Sequence, residues 1–178
     1  MGDARTGRIE WYRPPVRVVL PLGEVHCSRR LARTIRSGRF EISTDRAFED
    51  VIDACADRPD TWITPPVRDA YVALHREGDA HSVEAWSEGR LAGGVYGVRL
   101  GGAFMAESMF HRETDAGKVA LMALVRHLDA RGFRLLDVQM KTRVTASFGA
   151  IEFADEEYLA RLRKAMRADP GWGPWTPP

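Results

Sequence analysis

Cysteine is almost missing from this chain, with Cys27 and Cys55 the only two. Thiols so few and so far apart build neither a disulfide framework nor a zinc site, which excludes small cross-linked secreted folds. Net charge is missing as well. Lys and Arg number 26 against 25 Asp and Glu, so any surface for nucleic acid must come from local clustering. No apolar run approaches the ~20 residues that cross a bilayer, and Met1–Arg8 lack the hydrophobic centre of a signal peptide. A cytoplasmic location away from membranes is the expectation. Repeats are absent, and the only biased tract is the Pro/Gly/Trp end, residues 170–178.

What is present suffices for one sizeable core: 178 residues, 44% of them hydrophobic. Trp11-Tyr12-Arg13-Pro14-Pro15 reads as a kinked extended segment, and Val16–Leu20 as a short strand or extended stretch. A helix is expected from Ser28 to Arg39, with Ser28 as N-cap, Gly38 as stop, and Leu31 and Ile35 inward. Its other positions hold Arg29, Arg30, Arg33, Arg36 and Arg39 without an acid among them. A strand follows at Phe40–Ser43. Next comes a helix at Ala47–Asp57, capped by Asp45 or Thr44, with Phe48, Val51, Ile52 and Cys55 inward. Thr64 and the two prolines after it open another helix, running to about Glu77. His81–Trp86 alternates as a strand, with Glu84 on a wet face or bonding across the sheet. His75 and His81 lack a third ligand at metal spacing, so no metal is expected.

The stretch Arg90–Gly149 holds the chemistry. Leu91–Val98 and Phe104–Phe110 flank Gly101-Gly102 as a hairpin, and a helix is expected from Lys118 to Arg131, stopped at Gly132. A third apolar run, Phe133–Met140, returns as a strand. Alternation puts Met105, Glu107, Met109 and His111 on one face, with Phe104, Ala106, Ser108 and Phe110 on the other. The same rule pairs Asp137 with Gln139. Polar groups inside apolar strands cost free energy unless hydrogen-bonded, so Glu107, Asp137 and Gln139 point to one shared cleft. A wet edge strand or a satisfied structural hydrogen bond is the plainer alternative. Asp155–Met166 forms a last helix with Tyr158, Leu159 and Leu162 inward, and the two tryptophans of the tail dock on the body.

Several strings occur here in one order. They are Leu20–Arg29 (LPLGEVHCSR), Thr61–Pro65 (TWITP), His81–Trp86 (HSVEAW), Gly93–Gly97 (GGVYG), Ala106–Phe110 (AESMF), Lys118–Leu121 (KVAL), Arg131–Gln139 (RGFRLLDVQ) and Ala146–Ala150 (ASFGA). Together they resemble the bacterial leucyl/phenylalanyl-tRNA–protein transferases. That resemblance implies an α+β mixed sheet of the GNAT-like acyltransferase type. The enzyme would move leucine or phenylalanine (or methionine) from aminoacyl-tRNA to a protein or peptide beginning with Arg or Lys, the mark of an N-degron. It further implies a reduced N-terminal part over residues 1–60, the family's first segment being absent. A catalytic domain over 61–169 and the tail over 170–178 would complete one compact, monomeric unit.

By the same carry-over, Gln139, Glu107 and Asp137 are the expected catalytic group, with Gln139 accepting a proton from the amine or aligning it. Asp137 would polarise or orient the Gln139 amide, and Glu107 would hold a substrate amine. Trp62 and Tyr71 would receive the terminal adenosine. Val95, Phe104, Met109, His111, Leu124 and Leu136 would enclose the transferred side chain. Arg29, Arg30, Arg33, Arg36 and Arg39 would contact tRNA phosphates. Aminoacyl-tRNA is then a substrate, and no cofactor is expected. His111, Gly117 and Val144 depart from the family's usual serine, serine and histidine. A small-molecule or peptide acceptor, and a non-catalytic aminoacyl-tRNA-binding role, are the alternatives. Acetyl transfer from acetyl-CoA would need a better glycine-rich loop than Arg112–Gly117 provides.

Overall fold

A computed structural model describes residues 14–177. The lead-in Met1–Arg8 and the aromatic Trp11-Tyr12-Arg13 lie outside the described residues. In chain order the elements are β1 (Val16–Leu20), α1 (Arg29–Arg36), β2 (Glu41–Thr44), α2 (Phe48–Ala56), α3 (Pro65–Glu77), β3 (Ala80–Ser87), β4 (Arg90–Leu100) and β5 (Ala103–His111). Then follow α4 (Ala116–Arg131), β6 (Leu135–Asp137), α5 (Arg143–Ser147), β7 (Ile151–Ala154) and α6 (Asp155–Ala165). One mixed seven-stranded sheet, in the order β2-β3-β4-β5-β6-β1-β7, draws strands from both sides of residue 60. Every neighbouring pair is antiparallel except β5 with β6.

Two core layers sandwich that sheet. On one face α4 packs almost its whole length against Val83, Val95, Phe104 and Leu136, with Leu31 of α1 joining the same cluster. On the other face α2 and α3 pack on Tyr96 and Leu91, while α6 covers Val19, Ala103 and Leu135. Burial on both faces explains why β4 is almost continuously apolar rather than alternating. Ser28 caps α1 by accepting the Leu31 amide at 3.2 Å, as its position predicts. The tail docks as well. Trp172 stacks on His81 at 4.3 Å and on Phe104 at 5.2 Å between ring centroids, and Arg131 donates to the Pro174 carbonyl.

Several sequence expectations are corrected. Neither Asp45 nor Thr44 caps α2, whose N-cap is Ala47; Asp45 instead accepts the Ser82 amide and bonds His81. Thr64 does occupy the N-cap of α3 but makes no side-chain cap bond. The third apolar run is a strand only from Leu135 to Asp137. Glu84 is fully buried and bonds across the sheet to Ser43 at 2.6 Å, so the wet-face alternative does not hold.

The largest correction concerns phase. Along β5 the register steps from Tyr96↔Ser108 to Gly97↔Ala106, leaving Glu107 without an opposite partner. That is a β-bulge, and an extra residue reverses the alternation beyond it. Met109 therefore packs with Phe104 and Ala106 on the α4 face, whereas Met105 and Phe110 belong to the clusters opposite. Gly97 permits the bulge, because a Cβ there would sit 2.2 Å from the Met105 carbonyl oxygen and 2.5 Å from the Phe104 ring. Gly97→Ala is expected to destabilise the fold by about 2 kcal/mol or more, read as a lowered midpoint in urea unfolding with unchanged slope.

Candidate active site

The parallel contact between β5 and β6 lasts for three residue pairs and ends at Met105↔Asp137. Beyond it β5 runs on to His111 with no strand beside it on that side among the described residues. Two local devices furnish this gap. On β5 the bulge turns Glu107 toward Tyr71 of α3. Past β6 the chain makes a three-residue turn, the Met140 amide donating to the Val138 carbonyl at 2.7 Å, with Gln139 at its centre and φ +63°. A positive φ at a non-glycine residue in such a turn is strained and common at functional sites. Asp137 and Gln139 are therefore not successive residues on one strand face, because the strand has ended between them.

Gln139 spans the gap. Its Nε2 donates to Glu107 Oε2 at 2.8 Å and, more weakly, to the Ala106 carbonyl at 3.4 Å. Two acceptors around the nitrogen fix the amide's orientation, and Oε1 is left without a protein donor among the described residues. The Tyr71 phenol also lies beside Glu107. Burial raises the Glu107 pKa above the usual carboxylate range, and the Gln139 and Tyr71 bonds only partly oppose that shift. Burial first, then the nearby Glu107 charge, raises the Tyr71 phenol pKa as well.

Asp137 sits behind this pair, fully buried. Its Oδ1 accepts the Gln139 backbone amide at 2.7 Å, so it grips the turn and not the side-chain amide. Oδ2 accepts from Tyr158 at 2.6 Å and from Arg17, whose Nε lies at 3.0 Å and whose Nη2 makes a second bond. Sequence reading missed Arg17 and Tyr158. Tyr158 looks like an ordinary inward position of α6, and nothing local marks Arg17.

The expected binding residues fall on two sides of the sheet. Trp62 and Tyr71 meet edge to face at 6.2 Å in the layer with α2 and α3. Val95, Phe104, Leu124 and Leu136 come together in the α4 layer, each at most 2% exposed, with Met109 partly buried against them. His111 is exposed at the end of β5. The five arginines of the first helical region are all exposed, though not all unpaired. Arg30 contacts Asp115 at 3.2 Å and Arg39 contacts Glu113 at 2.7 Å, acids that come from the loop before α4. Cys55 is buried, its thiol pushed up to about 12 by desolvation, a core residue as its spacing implies. Near His75 and His81 the fold does supply a third possible ligand, Asp45. Its oxygens already serve the His81 ring at 2.8 Å and the Ser82 amide at 2.8 Å, and the His75 Nδ1 bonds the Ala80 carbonyl.

The parting of β5 and β6 thus brings together a half-buried carboxylate, an amide oxygen with no protein donor among the described residues, and two aromatic rings. Comparison with known proteins narrows the class. Residues 19–163 match the family described as "Leucyl/phenylalanyl-tRNA protein transferase". A transferase of that name from Rhizorhabdus wittichii is 52% identical, covering 97% of this chain and 72% of its own length. One from Salinibacter ruber is 48% identical over 98% of this chain and 77% of its own. Another from Rubrobacter xylanophilus is 51% identical over 92% and 86%. The chain belongs to the leucyl/phenylalanyl-tRNA–protein transferase family. A solved structure, the C-terminal domain of a putative lysylphosphatidylglycerol synthetase from Agrobacterium fabrum, aligns at 11% identity with a TM-score of 0.39 over 90% of this chain and 58% of that one, too low to carry an argument.

A raised carboxylate pKa has a defined sign. Folded Glu107 holds its proton at pH values where the unfolded chain has lost it, so stability falls as pH rises from the ordinary glutamate pKa, about 4.3, toward the raised one. Glu107→Gln lacks this term. Urea unfolding across pH 4–8 is expected to show the variant gaining on the native chain as pH rises, while transfer activity is lost.

Proposed function

We propose that this protein transfers leucine or phenylalanine from its tRNA to the N-terminal amine of a protein beginning with Arg or Lys, within the cytoplasm and as a monomer. The free α-amine attacks the ester carbonyl. An amide bond forms, the bond to the ribose oxygen breaks, and the proton lost by the amine ends on that oxygen. The ester is already activated, so the step runs downhill and needs neither metal nor cofactor. A reference α-amine pKa near 7.7–8.0 leaves roughly a tenth unprotonated at neutral pH, so a strong base is unnecessary. What the site must supply is alignment.

The observation that carries this reading is the Gln139–Glu107 bond across the open side of β5. With Nε2 committed to Glu107, the Gln139 Oε1 is the acceptor left to orient the attacking amine and to take its hydrogen bond. Glu107 holds an ammonium or amine by a charge-assisted bond. Trp62 and Tyr71 offer aromatic faces to the terminal adenine, for which stacking is worth about 1–3 kcal/mol. The leucyl or phenylalanyl side chain turns toward the α4 layer, where Met109 is the flexible element that yields to admit it. Of the basic cluster, Arg29, Arg33 and Arg36 make no ion pair among the described residues and remain for phosphates.

The fold reading is GNAT-like, with residues 61–169 as the catalytic domain, residues 1–60 an N-terminal part and residues 170–178 the tail of one compact unit. Its support is the sequence hairpin, helix, parallel return strand, with β5 and β6 parting after three pairs. Departure at His111 adds bulk and a titratable ring at the strand end, so the preferred donor is the property most open to change.

Transfer is tested by incubating the protein with radiolabelled leucyl-tRNA and a peptide beginning with Arg. Label is expected in the peptide, with Gln139→Ala lowering kcat by about tenfold to a hundredfold. No transfer from leucyl-, phenylalanyl- or methionyl-tRNA at low salt contradicts the reading. Arg33→Ala combined with Arg36→Ala is expected to raise KM for the charged tRNA and to flatten its salt dependence by about two phosphate contacts, with kcat unchanged.

A further inference from the structure

Gln139 sits in a left-handed backbone conformation, φ +63°, that a non-glycine residue adopts only at a cost in strain. Its side chain reaches across the gap from that conformation, so something must hold the turn. The turn's own amide-to-carbonyl bond between Met140 and Val138 closes three residues and leaves the Gln139 amide pointing inward. That amide meets the Asp137 Oδ1 at 2.7 Å. The carboxylate in turn has no freedom, because Tyr158 and Arg17 occupy Oδ2.

We propose that Tyr158 and Arg17 are positioning residues of the transfer reaction: together they clamp the Asp137 carboxylate so that it latches the Gln139 turn and presents the Gln139 amide across the gap to Glu107. Asp137 thereby acts through the Gln139 backbone and does not touch a substrate. Three observations support this assignment independently of the family. Asp137 is fully buried, behind the turn. Both of its oxygens are occupied, one by the backbone amide and one by the two side chains. The three partners come from distant elements, β1, α6 and the turn after β6, so the latch forms only once those elements have packed. Tyr158 is itself buried at 6% exposure, with the Arg17 guanidinium 5.1 Å from its ring centroid, so the clamp is rigid on both sides. The guanidinium also neutralises the buried carboxylate and the phenol hydrogen-bonds it, offsetting a burial that would otherwise be costly.

The inference rests on the proposed transfer for its kinetic arm, while a second arm reads the latch directly. Tyr158→Phe removes one oxygen and preserves the ring. It is expected to lower kcat about tenfold while KM for leucyl-tRNA stays within about twofold. Hydrogen exchange at the Gln139 amide is expected to quicken about tenfold or more in the variant. The neighbouring Val138 amide, bonded to the Val18 carbonyl at 2.8 Å, is expected to keep its protection. Arg17→Lys, which retains the charge and loses the fork, provides the same two readings if the phenylalanine variant fails to fold. Unchanged kcat overturns the proposal, and so does a fall in kcat with no change in exchange at Gln139. Should the native protein transfer nothing, the exchange arm still decides whether the latch exists, so failure of the function and failure of the latch are told apart.

Discussion

The Gln139 amide reaches across the place where the sheet comes apart and donates to the Glu107 carboxylate. Strands β5 and β6 could have stayed paired along their length, with backbone bonds filling the ladder. Instead the ladder stops after three rungs, and a side chain provides the next one. A backbone rung would close the sheet to any substrate. A side-chain rung keeps the strands apart and leaves an unused amide oxygen at the opening.

Both edges are set against local preference. On β5 the bulge interrupts the alternation that a buried strand favours, and its geometry depends on Gly97 having no side chain. Beyond β6 the Gln139 backbone adopts the left-handed region without being glycine. Strain of this kind persists only where the surroundings over-determine it. Here the surroundings are a buried carboxylate with both oxygens in use and a layer of α6 side chains behind it. Glu107 adds a further cost, since its own burial disfavours its charged form. Stability is given up at three adjacent points: the bulge, the turn at Gln139 and the carboxyl of Glu107.

The sequence made much of this legible. Capping by Ser28, the stop at Gly132, the hairpin at Gly101-Gly102 and the inward faces of α2 and α6 all follow from local chemistry and periodicity. So does the identity of Glu107, Asp137 and Gln139 as polar residues out of place in apolar runs. Their geometry was not legible. A period of two presumes an unbroken pleat, and the pattern A-E-S-M-F gives no sign that Glu107 is the extra residue of a bulge. Likewise L-L-D-V-Q-M reads as one strand, because what ends it is a turn stabilised by Tyr158 and Arg17, residues 21 and 120 positions away from Asp137. The salt bridges that moderate the arginine cluster escaped for the same reason, their acids arriving from the loop before α4. Local rules see neighbours in the chain; the clamp and the pairings are made by neighbours in space. Glu84 gives the converse lesson: it is as deeply buried as any carboxylate here, yet two serines satisfy it and it serves the sheet.

The central claim is that the gap beside β5 is where the ester and the amine meet. A crystal structure of the protein soaked with a stable 3′-leucylamido-adenosine tests it most directly. The leucyl α-amine or carbonyl is expected within hydrogen-bond distance of Glu107 or Gln139 Oε1, the adenine against Trp62 or Tyr71, and Met109 displaced by the leucyl side chain. The analogue bound elsewhere, with the Glu107–Gln139 gap closed and unoccupied, would contradict it.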